Sequence, residues 1–159
     1  GLSIGKVKPA LHNTIKGAIP ASLGTLFMIA LSAMMEHTGM TMQIAQGLSV
    51  LMGMIYPLFA PLVGMVGAFA TGSNTNSNVL FGSMQKGVAQ LLTISPLILL
   101  AAQTVGGSLG SMVAPAKLAV GGTTTGLKGK EGEILRITLP IGLGIVMIVG
   151  VVVLLLSRG

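Results

Sequence analysis

The chain alternates between long uncharged apolar runs and short polar or glycine-rich interruptions. Residues 18–35, "AIPASLGTLFMIALSAMM", carry no charge. As a helix they rise about 27 Å, close to the hydrocarbon thickness of a bilayer, which predicts a transmembrane helix over 18–36. Ahead of it, "PALHNTIKG", residues 9–17, reads as a separate short polar helix at the membrane surface. In residues 41–55 Gln43, Gln46 and Ser49 recur at three-residue spacing, the pattern of an interfacial helix, and Tyr56 and Pro57 mark a break. Next come two apolar runs, "PLFAPLVGMVGAFA" at 57–70 and "SNVLFGSMQKGVAQLL" at 77–92. As helices they reach only about 21 and 24 Å, short of the far side of a bilayer. Between them Gly72 to Asn78, "GSNTNSN", are all small or polar. This predicts a re-entrant hairpin over 57–92 with its tip at 72–78, near the bilayer middle. Irregular backbone survives at that depth only where protein or a watery cavity surrounds it.

Residues 95–127 predict a discontinuous membrane helix. "SPLILLAAQTV" makes a good first half, "GGSLGSMVAP" at 106–115 unwinds it, and "AKLAVGGTTTGL" resumes. Gly106 and Gly110 also fit a close-packing GxxxG pair, but Gly107 and Pro115 bracket the segment and favour the unwound reading. The most charged stretch, "KGKEGEILR" at 128–136, is expected as a loop, and the last membrane helix, 134–157, emerges from it. The fold class is therefore all-α and integral to the membrane. Period-2 alternation of the kind that builds membrane β-barrels is absent.

Composition sharpens this picture. The chain is 52% hydrophobic and 8% charged, with mean hydropathy +0.90, well outside the range of soluble domains. It has no cysteine, so neither disulfides nor cysteine-ligated metals enter, and two distant histidines make no metal site. The net charge of +6 is dispersed, and one tyrosine and four phenylalanines are too few for a stacking platform, which argues against nucleic acid. No secretory signal pattern precedes the first span. The chain begins with Gly1 and carries four or five membrane segments. It is expected to be the C-terminal portion of a longer protein, whose N-terminal half would be its missing partner. Lys6, Lys8 and Lys16 before the first span, and Lys128, Lys130 and Arg136 in the last loop, place both regions in the cytoplasm. The hairpin then enters and leaves from outside.

The tip carries the candidate chemistry. The start of its second helix offers free main-chain N–H groups and the positive end of a dipole, which favour an anion. Ser73, Thr75 and Ser77 add hydroxyls; Asn74, Asn76 and Asn78 add amides. The break supplies a second pair of helix ends, a recurring device of secondary transporters. The candidate substrate-binding residues are Gly72, Ser73, Asn74, Thr75, Asn76, Ser77 and Asn78 at the tip, and Gly106, Gly107 and Ser108 at the break. Gln103, Thr104 and Lys117 join them as neighbours. Lys117 counts because a charge within a span usually faces a cavity or partner. Lys86 is expected to snorkel to the interface. Glu36, His37 and His12 fit solvated positions, and the eleven methionines are core and lipid-facing filler. "GGTTTGLKGKE" is no phosphate loop, since Glu131 follows Gly129 and Lys130. No nucleophile elbow or His–Asp pair is present, so the chain is not expected to be an enzyme.

"GSNTNSNVLFGSMQ", "AAQTVGGSLGSMVAPAKLAV" and "GLKGKEGEILR" resemble, in order and spacing, the C-terminal region of the L-lactate permease family. The resemblance runs from about residue 18 to 140 and is best over 70–136. It implies a proton-coupled symporter of lactate or glycolate in the plasma membrane, with no cofactor beyond the coupling ion. Ser73, Asn74 and Thr75 also resemble the hairpin-tip signature of the wider ion transporter superfamily. That likeness implies the second of two inverted repeats and an elevator-like displacement. Two positions depart from the family pattern. Asn74 stands where an acidic residue is expected, which weighs against a proton carrier at the tip and opens Na⁺ coupling of a carboxylate carrier. Lys117 stands where a small polar residue is expected. A non-transporting membrane subunit, its polar tip touching a partner chain, is the remaining alternative.

Overall fold

The computed structural model describes residues 4–127 and 129–158, and their side chains except at residues 4–6, 17, 20, 21 and 123. Lys128 and the side chain of Lys6, both counted above among the basic residues that set the orientation, lie outside this description. Seven α-helices follow one another, and no strand occurs among the described residues. They are α1 (Ile4–His37), α2 (Met40–Met52), α3 (Tyr56–Thr71), α4 (Asn74–Leu91), α5 (Pro96–Met112), α6 (Pro115–Thr124) and α7 (Glu131–Leu156). The separate surface helix expected at 9–17 does not form. It is continuous with the first span in α1, and Thr14 bonds back to the Ala10 carbonyl at 2.9 Å in the helical pattern.

The break expected at Tyr56 and Pro57 lies earlier, at Gly53. Its φ of 50° and ψ of −135° suit glycine, and a 3-10 turn, Gly53–Ile55, follows. Pro57 instead opens α3, where its missing N–H costs no hydrogen bond. Taken together, Met40–Thr71 is long and apolar enough to cross a membrane, as is Glu131–Leu156; α5 and α6, bent by 41°, make a third candidate if counted as one span. α4 has 18 residues, about 27 Å, and α3 continues back into α2.

α3 is the central helix. α5 runs along it in parallel, α4 returns antiparallel from the tip, and α7 covers a third side. The α3–α5 contact is made of backbone. A Cβ added at Gly106 would overlap the Pro61 carbonyl, one at Gly110 the Met65 carbonyl, and one at Gly64 the Gln103 carbonyl. This corrects the unwound reading of 106–115. Helical geometry continues to Met112, because Gly106 and Gly110 serve close packing. The interruption is confined to Val113 and Ala114. Proline at 115 drives Ala114 to ψ 134° and restarts the helix as α6.

α7 lies antiparallel to α3. Gly150 backs onto Leu58, Gly142 touches Met65, and Leu139 packs near Phe69. α7 also begins inside the stretch expected as loop, at Glu131. Glu131 and Glu133 occupy its first turn, where the helix dipole favours negative charge. Its outer face exposes Ile137, Ile141, Ile148 and Val152, the face a bilayer would cover.

Candidate functional site

α3 ends where Gly72 adopts the left-handed region at φ 70°, and Ser73 at once caps α4. The Ser73 hydroxyl oxygen accepts the Asn76 N–H at 3.2 Å, and its carbonyl accepts the Ser77 N–H at 3.1 Å. The irregular tip is thus two residues, not seven. Asn74 to Asn78 are the first turn of α4, because a serine N-cap followed by asparagines starts a helix efficiently. The Asn74 and Thr75 N–H groups precede the first intrahelical donor and stay available at the dipole's positive end. Ser73→Ala is expected to cost about 1 kcal/mol through loss of the cap, read as a lowered melting temperature in detergent.

The tip is held against α5 and α6. Asn74 donates from Nδ2 to the Ser108 hydroxyl at 2.9 Å, and Ser108 donates on to the Thr104 carbonyl at 3.0 Å. A Cβ added at Gly107 would overlap the Asn74 side-chain oxygen, so glycine there lets Asn74 lie flat on α5. Gly72 faces Ala116, whose Cβ stands 3.6 Å from where a Gly72 Cβ would lie. The N-termini of α4 and α6 therefore meet at the tip. Lys117, in the first turn of α6 and exposed, donates to the Ser111 hydroxyl. The side-chain oxygens of Asn74, Asn76 and Asn78 are shielded and have no hydrogen-bond partner.

In register with α7, Gly142 touches Met65, and the tip follows Phe69, which lines one recess with Leu139 and Leu143. It therefore stands nearer the charged end of α7 than the middle. The chain's three acidic residues are Glu36, Glu131 and Glu133. Glu131 lies beside Gly122 at the far end of α6 and accepts the Gly129 N–H at 3.0 Å. Glu36 lines a separate polar recess with Lys86, Thr41, Ser83 and Gln90. The tip itself is a neutral, donor-rich surface with one ammonium beside it.

The L-lactate permease family matches residues 1–158. The chain belongs to that family. It is 38% identical over 127 residues to "Glycolate permease GlcA" of Escherichia coli (strain K12), 36% identical over 124 residues to "L-lactate permease" of the same organism, and 33% identical over 137 residues to "L-lactate permease" of Bacillus subtilis (strain 168). These matches cover 80%, 78% and 86% of this chain but only 22%, 22% and 23% of the relatives. The permease segment thus spans less than a quarter of their length. No solved structure matches it. Membership and the apolar helices make it part of an integral membrane permease, and the family is one of carriers, not enzymes.

Within this permease segment, Gly72, Ser73, Asn74 and Thr75 form the tip, Ser108 and Thr104 join it through the Asn74–Ser108–Thr104 hydrogen bonds, and Lys117 follows Ala116 in the first turn of α6, bonded to Ser111. Ser77 and Gln103, expected to touch substrate, are instead fully buried and hydrogen-bonded to each other at 3.0 Å. Gly106 is buried under α3 and Gly107 beneath Asn74, so neither offers a side of the site. Tyr56, read above only as part of a break, and Gln85 are also fully buried. The signal was there in Gln85, an amide on a face of α4 otherwise given to Met84 and Val88.

Proposed function

We propose that the full-length permease carries lactate, glycolate or a related small monocarboxylate across the plasma membrane, and that the tip of the α3–α4 hairpin holds the carboxylate. One observation supports this above the others: the N-termini of α4 and α6 meet at a tip whose residues 72–78 carry no acidic group, and Lys117 lies in the first turn of α6. Neutral donors and dipoles bind an anion without a permanent ion pair, which suits binding followed by release. The names of the related permeases supply the substrate class. Thr104, Ser108 and Thr75 are exposed in this segment, and the remainder of the protein, more than three quarters of its length by comparison, would close the site. In this reading the hairpin is re-entrant, belongs to the second of two inverted repeats, and brings its tip toward the charged cytoplasmic end of α7.

Replacing Asn74 with alanine in the full-length permease should reduce lactate uptake at least about tenfold while leaving membrane insertion intact, because it removes the contact that seats the tip on α5. Uptake at the parent level would remove the tip from the site. Proton coupling is part of the proposal. The rival, Na⁺ coupling, draws support from a specific feature: three shielded amide oxygens without partners, hard neutral ligands of the kind an alkali cation takes. Uptake driven by an imposed sodium gradient and indifferent to a pH gradient would decide for sodium.

A further inference from the structure

Behind the tip a hydrogen-bonded run crosses three helices. The Tyr56 hydroxyl donates to Gln85 Oε1 at 2.8 Å. Gln85 Nε2 donates to the Ala60 carbonyl at 3.1 Å and to Gln103 Oε1 at 3.0 Å. Gln103 Nε2 donates to the Ser77 hydroxyl at 3.0 Å and the Ser77 carbonyl at 3.3 Å, and the Ser77 hydroxyl donates to the Gly64 carbonyl at 2.9 Å. Tyr56, Ser77 and Gln85 have no solvent exposure and Gln103 has 1%. Each amide nitrogen has two hydrogens, and both are engaged. The run therefore has one polarity. Rotating either amide would set two NH₂ groups, or two carbonyls, face to face.

An apolar core would hold the same helices together with less risk. A satisfied buried network adds a single allowed arrangement. The α3–α5 contact is glycine against main chain at Pro61, Met65 and Gln103, with no polar side chain of its own to tie α4 in. The run supplies that tie, joining α3 (Tyr56, Ala60, Gly64) to α4 (Gln85, Ser77) and to α5 (Gln103). It ends at Ser77, in the same first turn of α4 that presents the free Asn74 and Thr75 N–H groups. We propose that Tyr56, Gln85 and Gln103 form a positioning lock, which fixes the hairpin tip against α5 by acting through Ser77. These residues do not touch the substrate. The consequence for transport rests on the tip being the carboxylate site; the lock itself does not.

The test uses the full-length permease with cysteines elsewhere replaced; residues 1–159 contain none. Asn74→Cys with Ser108→Cys reports the tip's place on α5 through a short bifunctional thiol reagent. Adding Gln103→Met, which keeps volume but removes the donors, should slow cross-linking about tenfold, and the milder Tyr56→Phe, which strips only the far hydroxyl, about threefold. Separately, Gln103→Met alone should raise the lactate KM about tenfold with the maximal rate per inserted molecule within about twofold. Cross-linking at the parent rate in both variants would overturn the lock. Slower cross-linking with KM unchanged would uphold the lock and remove the tip from the substrate site. If Gln103→Met fails to insert, Tyr56→Phe decides alone, by the same rate.

Discussion

Gly106→Ala should leave the permease unable to reach a stable fold, with monodisperse protein after detergent extraction falling to a small fraction of the parent. The added atom is the Cβ itself, and it would fall on the Pro61 carbonyl. Overpacking a core usually costs about 1–3 kcal/mol because side chains give way. Here the obstacle is main chain, locked within α3, and the same helix pair meets again at Met65 and Gly110 and at Gly64 and Gln103. Relief at one point would strain the others, so the cost should reach at least the upper end of that range. The control is Gly144→Ala in α7, where a Cβ meets nothing within 4 Å. There the substitution should stabilise by up to about 1 kcal/mol through helix propensity alone. Size-exclusion profiles and melting temperatures of both variants check the pair. Equal stability of Gly106→Ala and Gly144→Ala would mean that α3 and α5 do not approach as closely as described.

That same glycine shows how far the sequence could be read. The apolar runs and their polar interruptions mark most of the helices, because hydrophobic length and turn residues act locally, but α1 and α7 begin earlier than those runs. The place of the tip was legible in its polar run, but its extent was not: read as 72–78, it is only Gly72 and Ser73, which end α3 and cap α4. What failed was the reading of glycine and proline between residues 106 and 115. Glycine unwinds a helix or lets two helices touch, and only the identity of the neighbouring helix decides which. Pro115 acts on Ala114 alone, so the interruption shrank to two residues. The arms looked short because Tyr56–Pro57 and residues 72–78 were read as breaks, whereas the register of the tip along α7 is a long-range property with no local signal. The buried Tyr56–Gln85–Gln103 run was invisible as a network. Its members lie 18 to 47 positions apart, and no local pattern joins them.

Lys117→Glu is expected to abolish lactate and glycolate uptake in the full-length permease, and Lys117→Met to raise the KM on the order of tenfold to a hundredfold. A cation in the first turn of a helix opposes the dipole, so Lys117 is placed against local preference. The described side-chain contact that holds it is the hydroxyl of Ser111, a neutral acceptor. Glu131 stands at the far end of α6, Glu36 in the recess between α1 and α4, and Glu133 in the first turn of α7. An ammonium in the first turn of α6 can add a charge-assisted hydrogen bond to a carboxylate held at the helix ends. A hydrogen bond to a charged group contributes about 1.5–3 kcal/mol, which converts to the KM range given for Lys117→Met. Lys117→Arg keeps the charge and should keep uptake within about threefold, since a carboxylate accepts from either cation. Glutamate would replace attraction by repulsion at the same spot, and raising the substrate concentration should not rescue it. The series is read as uptake kinetics normalised to inserted protein. Methionine at the parent KM would place Lys117 outside the carboxylate site. The helix ends and the Asn74–Ser108 pair would then have to bind the anion unaided, which predicts weak affinity and broad selectivity among small acids.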